Sequence, residues 1–363
     1  MTFNWQQPDW PNFRYDLVDV EADLLRFAEN AGRVGGMLRV LPEESQTDTL
    51  VEFMIAEAMK SSAIEGEALS RPDVKSSVRH RLGLDDTPPI HLDRASAGAA
   101  ELMVMVRQEW NSPLTAAGLK GWHRALMAGS DRVLVGAWRT QVEPMQVVSG
   151  AVGKERLHFE APPSAQVPSE MEQFVKWFNA SRAELVAGPV RAALAHLYFE
   201  SIHPFEDGNG RLGRAVSEKA LSQSLGRPAN ISLSRTIEAN RRDYYDALER
   251  AQRSNEVTAW LNYFVPTVVA AQADAVRVVE FVLAQAKLFD RLRDQLNPRQ
   301  SKALRRMLVD GPDEFEGGMN ARKYGSLNHV SKATATRDLQ RLVTLGALRP
   351  IGAGRSARYE VNL

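Results

Sequence analysis

Cysteine is absent from all 363 residues, which excludes disulfides, thiolate metal sites and thiol nucleophiles and suits a reducing compartment. Net charge is absent too: 45 Lys and Arg balance 45 Asp and Glu, so the charge of the whole chain selects no partner. No apolar run is long enough to span a bilayer, so no membrane partner is expected. The opening Met1-Thr2-Phe3-Asn4-Trp5-Gln6-Gln7-Pro8 lacks the charged and apolar regions of a secretory leader, which makes a cytoplasmic protein the expectation. No internal repeat or low-complexity stretch occurs. Hydrophobic content of 44% and charged content of 25% are those of an ordinary globular chain, long enough for two or three domains.

The charge that is present is unevenly placed. Residues 1–70 carry 5 basic against 13 acidic residues, and residues 297–363 carry 12 against 6. The acidic end reads as a solvated helical surface; the basic end is a candidate nucleic-acid footprint, so DNA contact through 297–363 is one expectation.

The chemistry concentrates in His203-Pro204-Phe205-Glu206-Asp207-Gly208-Asn209-Gly210-Arg211-Leu212-Gly213-Arg214. Apolar residues at three- and four-residue spacing predict a helix from Pro189 to Glu200 and another from Arg211 to Leu225. The stretch is therefore a loop between helices, the second starting near Asn209, where free N–H groups and the dipole favour an anion. Gly208 and Gly210 admit a phosphate without a Cβ in the way. Arg211 and Arg214 share one face and can fork phosphate oxygens. Asp207 offers the hard oxygen that Mg²⁺ takes beside phosphates, and His203 can accept a proton near neutral pH. Together they imply transfer of a phosphate-linked group from a nucleotide–Mg²⁺ to a hydroxyl. Taken singly, each residue has a plainer reading as a turn or core residue; a mere turn needs neither two arginines nor the His–Asp spacing.

This stretch resembles the Fic family motif, HxFx(D/E)GNGRxxR, at every specified position. The resemblance implies a mainly α protein: a Fic helical bundle with a β-hairpin flap. It further implies transfer of AMP from ATP to a Ser, Thr or Tyr hydroxyl of a target protein. In that family His203 would be the base, Asp207 the Mg²⁺ ligand, Gly208, Asn209, Gly210 and Arg211 phosphate contacts, and Arg214 the grip on the γ-phosphate. Ser61-Ser62-Ala63-Ile64-Glu65-Gly66 alone reads as a helix end with a Gly cap. Beside the first motif it resembles the family's inhibitory (S/T)xxxE(G/N) element in Ser61, Glu65 and Gly66, which implies that Glu65 pairs with Arg214. Removal of AMP by the same site, or a nucleotide-sensing DNA-binding regulator, are the rival readings, and a homodimer is a family expectation.

Elsewhere, residues 1–16 read as an aromatic-pinned arm. Asp16–Leu41, interrupted at its glycines, and Ser45–Ile64 read as helices, as do Leu69–Leu82, Leu92–Trp110, Thr115–Met127 and Val167–Leu185. Asp85–Pro89 reads as a loop. His123 stands mid-helix with no phosphate-binding chemistry around it, and reads as structural. Gly136–Phe159 suggests a hairpin with glycines at 150 and 153. The resemblance makes it the flap, with Val147, Val148, Ser149 and Gly150 touching nucleotide, although Ser149 departs from the small residue usual there. Glu238–Gln252 is expected as one helix, with Tyr244 and, more softly, Gln252 as adenine contacts by resemblance. Val257–Leu296 is expected as long helix broken only at Pro266. Helices at Arg299–Val309, Asn320–Leu327 and Ser331–Leu345, then a hairpin, resemble a winged helix-turn-helix with a wing at Gly352–Arg358. The expected domains are 1–91 with the inhibitory element, 92–290 as catalytic core and 297–363 as winged helix.

Overall fold

A computed structural model describes residues 2–86, 93–150, 156–185, 187–308, 318–352 and 358–363. Parts of five expectations lie outside these: Thr87–Pro89 of the early loop, Leu92 at the start of the helix expected to Trp110, Gly153 in the flap turn, Val309 at the end of the helix expected from Arg299, and residues 353–357 of the wing. The fold is mainly α. In chain order the helices are α1 (Glu21–Val40), α2 (Glu43–Ile64), α3 (Arg71–Arg81), α4 (Arg94–Gln108) and α5 (Ala116–Leu126). A two-stranded antiparallel hairpin follows, β1 (Gln146–Ser149) and β2 (Arg156–Glu160). Then come α6 (Val167–Glu184), α7 (Gly188–Ile202), α8 (Asn209–Leu225), α9 (Leu233–Ala239), α10 (Arg241–Ala251) and α11 (Thr258–Arg291). The chain ends with α12 (Pro298–Leu308), α13 (Ala321–Asn328), α14 (Lys332–Thr344) and the hairpin β3 (Leu348–Ile351) and β4 (Arg358–Val361).

Two compact units result, one made of residues 1–32 and 50–273, the other of 33–49 and 274–363. At the heart of the first lies α7, in which every residue is buried. Ala, Leu, Val and Phe face outward all round it, the composition of a helix enclosed on every side. Arg191 is enclosed with them: it donates to Phe178 O at 2.8 Å, Ser181 Oγ at 3.0 Å and Gln223 Oε1 at 2.8 Å. One guanidinium thereby ties α6, α7 and α8 together, and burial lowers its pKa to about 10. Capping side chains mark several helix starts: Ser70, Asp93, Thr115 and Ser232 each accept a backbone N–H of the first turn.

In the second unit α12, α13 and α14 enclose Leu304, Tyr324, Leu339 and Leu342. Asp338 at its centre accepts from Arg299 Nε at 2.9 Å and from the Tyr324 hydroxyl at 3.1 Å. Among the described residues, no helix is long and apolar enough to cross a membrane.

Three expectations of local structure are corrected. Helix α1 runs unbroken through Gly32, Gly35 and Gly36, because glycine lowers helix propensity by about 1 kcal/mol without removing a hydrogen bond. Helix α11 likewise continues through Pro266, where buried Val265 and Val268 anchor the helix on either side of the proline. The stretch expected as one helix from Glu238 is two, because Asn240 leaves helical geometry at φ −132°.

Candidate active site

Helix α7 ends abruptly. His203 sits at its C-cap in the left-handed region, φ 51° and ψ 59°, a conformation that a non-glycine side chain adopts only when its surroundings impose it. Arg139 imposes it. Its Nε donates to His203 O at 2.8 Å, Nη2 to Ile202 O at 3.3 Å, and its backbone N–H to Pro204 O at 3.0 Å. A cation among the last carbonyls of a helix satisfies both their lone pairs and the dipole. Nothing in the sequence near residue 139 signals this partnership with residue 203.

The loop that follows is clamped by one amide. Asn209 Oδ1 accepts the Phe205 N–H at 2.9 Å and Nδ2 donates to Phe205 O at 2.8 Å. Gly208, at φ 81°, turns the chain into α8. From below, His123 lies flat on Phe205, with ring centroids 4.0 Å apart. Its Nδ1 accepts the Gly136 N–H at 2.8 Å, so Nε2 carries the proton and donates to Asp207 O at 3.2 Å. Expected with no phosphate-binding chemistry around it, His123 instead stands against the motif loop. Burial pushes its pKa down to about 4. An unfolded imidazole titrates near 6.5, so as pH falls the unfolded chain takes up a proton that the folded chain refuses. His123→Asn lacks that penalty. Its stability deficit against wild type should therefore shrink by about 2 kcal/mol between pH 7 and pH 5. Urea titrations at the two pH values measure this; a constant deficit would mean that the wild-type ring is protonated in place.

Above the loop stands the end of α2. Arg214, its side chain fully enclosed, donates Nε to Ser61 Oγ at 2.9 Å, Nη2 to Ser61 O at 2.8 Å and Nη2 to Glu65 Oε1 at 2.8 Å. Burial opposes its charge, but Glu65 first, with Tyr244 and Glu200, together outweigh that and raise its pKa above the ordinary value. Gly66, at φ 82°, ends the helix behind the carboxylate. A Cβ on Gly210 would stand 2.2 Å from Glu65 Oε1, so only glycine admits this carboxylate to the first turn of α8. Arg211 is held in a parallel way by a residue that sequence reasoning missed: its Nη1 donates to Glu67 Oε2 at 2.5 Å, and Nη2 lies 3.5 Å from Asp207 Oδ1. Two carboxylates from one segment thus occupy both arginines.

Other expected residues are placed as follows. His203 is nearly enclosed; burial is the main cause that lowers its pKa to about 4. Asp207 is more than half exposed, and its Oδ1 accepts the Gly208 N–H at 2.6 Å. Among the described residues no three His, Cys, Asp or Glu cluster in a way that could hold a metal. On β1, Val147 and Val148 are exposed, and Ser149 Oγ bonds His158 Nε2 at 2.6 Å; Gly150 follows at φ 111°. His158 Nδ1 in turn meets Glu249 Oε2 at 2.6 Å, which ties the hairpin to α10. The Ser149 hydroxyl is therefore engaged within the flap.

The two residues expected by resemblance as adenine contacts are placed as follows. Tyr244 is 1% exposed, its hydroxyl bonded to His196 Nε2 at 2.8 Å. Gln252 is 5% exposed and donates Nε2 to Glu200 O at 3.2 Å. Both are sealed inside. The neighbouring ring, Tyr245, is 39% exposed and donates its hydroxyl to Ile64 O at 3.0 Å, beside Glu65.

Residues 113–221 match the family model described as Fic/DOC family, and residues 3–84 match one described as a domain of unknown function, DUF4172. The protein adenylyltransferase Fic of Culex quinquefasciatus is 28% identical over 212 residues, covering 56% of this chain and 38% of that protein. The probable protein adenylyltransferase of Aquifex aeolicus is 33% identical over 95 residues, 26% of this chain and 27% of that protein. The chain thus spans well under half the length of these curated relatives. Among solved structures, a Fic family protein from Desulfovibrio desulfuricans G20 superposes with TM-score 0.56 at 18% identity, covering 97% of this chain and 98% of that one. Fic-1 from C. elegans gives TM-score 0.53 at 20% identity, with 74% of each chain covered. At these identities the likeness is one of fold.

Proposed function

We propose that the Fic/DOC domain carried by this chain transfers AMP from ATP to a hydroxyl of a target protein, and that Glu65 restrains it. The observation that carries this reading is the carboxylate of Glu65 on Arg214 over the first turn of α8. It occupies the place where a helix N-terminus and two arginines would take an anion. His203 accepts the proton of a Ser, Thr or Tyr hydroxyl, whose oxygen attacks the α-phosphorus. The bond from that phosphorus to the bridging oxygen breaks and pyrophosphate leaves. Gly208, Asn209, Gly210 and Arg211 hold phosphates, and Arg214 grips the γ-phosphate once Glu65 withdraws. Val147, Val148 and Gly150 on the flap lie against the nucleotide.

Asp207 fits a role toward Mg²⁺. It is a hard oxygen donor, exposed and fixed by its own loop, and magnesium is commonly held by one carboxylate plus substrate phosphates. When bound, Mg²⁺ supplies charge neutralisation along the phosphates. Asp207→Ala is expected to lose transfer in a way that rising Mg²⁺ does not repair; transfer that persists in a chelator contradicts the assignment. The direct test of the reading is incubation of the purified protein with α-labelled ATP and a lysate: labelled protein chains support it, and none from any variant sinks it.

A second reading concerns the last unit. Lys332, Arg337 and Arg341 on α14 are exposed, and the following β3–β4 hairpin supports a winged-helix reading of 297–363. Contact with the phosphates of DNA would then be expected, with affinity falling steeply as salt rises. Binding without that slope counts against it.

A further inference from the structure

We propose that Glu200 is a positioning residue for His203: lying one turn earlier on α7, it decides which ring nitrogen of His203 carries the proton, and so whether Nε2 is free to accept from a hydroxyl. The inference rests on the base role just given to His203, and it adds a partner that no motif residue supplies.

The geometry begins with two enclosed atoms. His203 Nδ1 and Glu200 Oε1 are both buried without a hydrogen-bond partner, and Glu200 Oε2 stands 3.7 Å from His203 Nδ1. That separation is just beyond a hydrogen bond, as is common for catalytic contacts that tighten with substrate. The rest of the packing makes room for the carboxyl. A Cβ on Gly213 would stand 2.4 Å from Glu200 Oε1 and 3.2 Å from the His196 ring, so α8 presents a glycine where the acid is seated. A carboxyl buried with an unmet oxygen is costly, and as mere helix filling an apolar residue would be better.

Two protonation states of the pair are available, differing by one proton. If Glu200 is protonated, it donates to Nδ1; the ring then carries its own proton on Nε2 and cannot act as a base. If Glu200 is ionised, it accepts from Nδ1–H, leaves the Nε2 lone pair free, and stabilises the imidazolium once the hydroxyl proton has arrived. Every packed element contributes to the choice. Burial, followed by the Glu65 carboxylate at the end of α2, pushes Glu200 up to about 8, while Arg214 of α8 pulls it down. Arg139 opposes a charge on the His203 ring, while the backbone of Glu200, then Glu65 and Asp207, favour it. Tyr244 and Tyr245 of α10 are held neutral, with pKa raised chiefly by burial. His196 on α7 is neutral as well, burial lowering it to about 3. While Glu65 stands nearby, the protonated carboxyl, and with it the unreactive tautomer, is favoured. Withdrawal of Glu65 removes the nearest like charge and favours the reactive one. Glu65 restrains the site through the base as well as through Arg214.

The test reads the ring itself in the unliganded full chain. With ¹⁵N-labelled histidine, the His203 resonances are identified by their loss in His203→Ala and followed from pH 6 to pH 9.5. The expected result is a change from the Nε2–H to the Nδ1–H tautomer centred at about 8, absent in Glu200→Gln and moved to lower pH in Glu65→Gly. One tautomer throughout in wild type, or the same change in a folded Glu200→Gln, overturns the inference. This readout stands whether or not the protein transfers AMP. A kinetic arm uses the Glu65→Gly protein. There Glu200→Gln should lower the maximal transfer rate about tenfold to a hundredfold and flatten its rise with pH, with little change in KM for ATP. Glu200→Asp should restore part of the rate; a pH profile unaltered by Glu200→Gln overturns the inference.

Discussion

Replacing Glu65 with glycine should raise label transfer from α-labelled ATP, onto the chain itself and onto its target, by about one to two orders of magnitude. The Glu65–Arg214 contact is a charge-assisted hydrogen bond with the guanidinium fully enclosed, a class worth about 1.5–3 kcal/mol. Each 1.4 kcal/mol corresponds to a factor of ten, which sets the size of the expected gain. The substitution also empties the first turn of α8, where Glu65 Oε1 now stands against Gly210. Arg214→Ala should not imitate it, because the grip on phosphate goes with the lock, and the double variant should be as poor as Arg214→Ala alone. Glu67→Gly should activate much less. Glu67 is more exposed than Glu65, so solvent screens its pairing with Arg211 and the lock on Arg214 stays in place. Equal labelling by wild type and a folded Glu65→Gly would make Glu65 an ordinary carboxylate at a helix end.

The largest loss is expected for His203→Ala, made in the Glu65→Gly protein so that there is a rate to lose. A positioned base contributes roughly a hundredfold to ten-thousandfold, and the transfer rate should fall by that factor. Nucleotide binding should persist, because the phosphates are held by the loop amides and the arginines and not by the imidazole. Equilibrium binding of ATP beside initial transfer rates separates the two. Near-normal transfer by the alanine variant would remove His203 from the mechanism.

Much of this site was legible because its chemistry is local. The start of α8 at Asn209, the turn at Gly208 and the shared face of Arg211 and Arg214 all follow from spacing within twelve residues. The partnership of Glu65 with Arg214 joins positions 149 apart in sequence, and was readable only by resemblance to a family. Contacts with no such guide stayed hidden: Arg139 at the end of α7, Glu67 on Arg211, His123 under the loop, and Glu200 behind His203. Each depends on which side chains the packed bundle brings together, and periodicity carries no such information.

The tyrosine pair shows the limit at finer scale. Successive helix residues point about 100° apart, so whether Tyr244 or Tyr245 faces out is set by how α10 is rotated against its neighbours. The structure turns Tyr244 inward onto His196 and leaves Tyr245 exposed beside the end of α2. Asn240 separates α9 from α10 where a continuous helix was expected.

The account stands most directly on which part of ATP is transferred. Purified Glu65→Gly protein is incubated in parallel with ATP labelled at the α-phosphate and at the γ-phosphate, with the target-containing lysate, and the protein-bound label is measured. Label from the α-position, none from the γ-position, and loss of both self- and target-labelling with His203→Ala is the predicted result. Label from the γ-position, or α-label that survives His203→Ala undiminished, would contradict it.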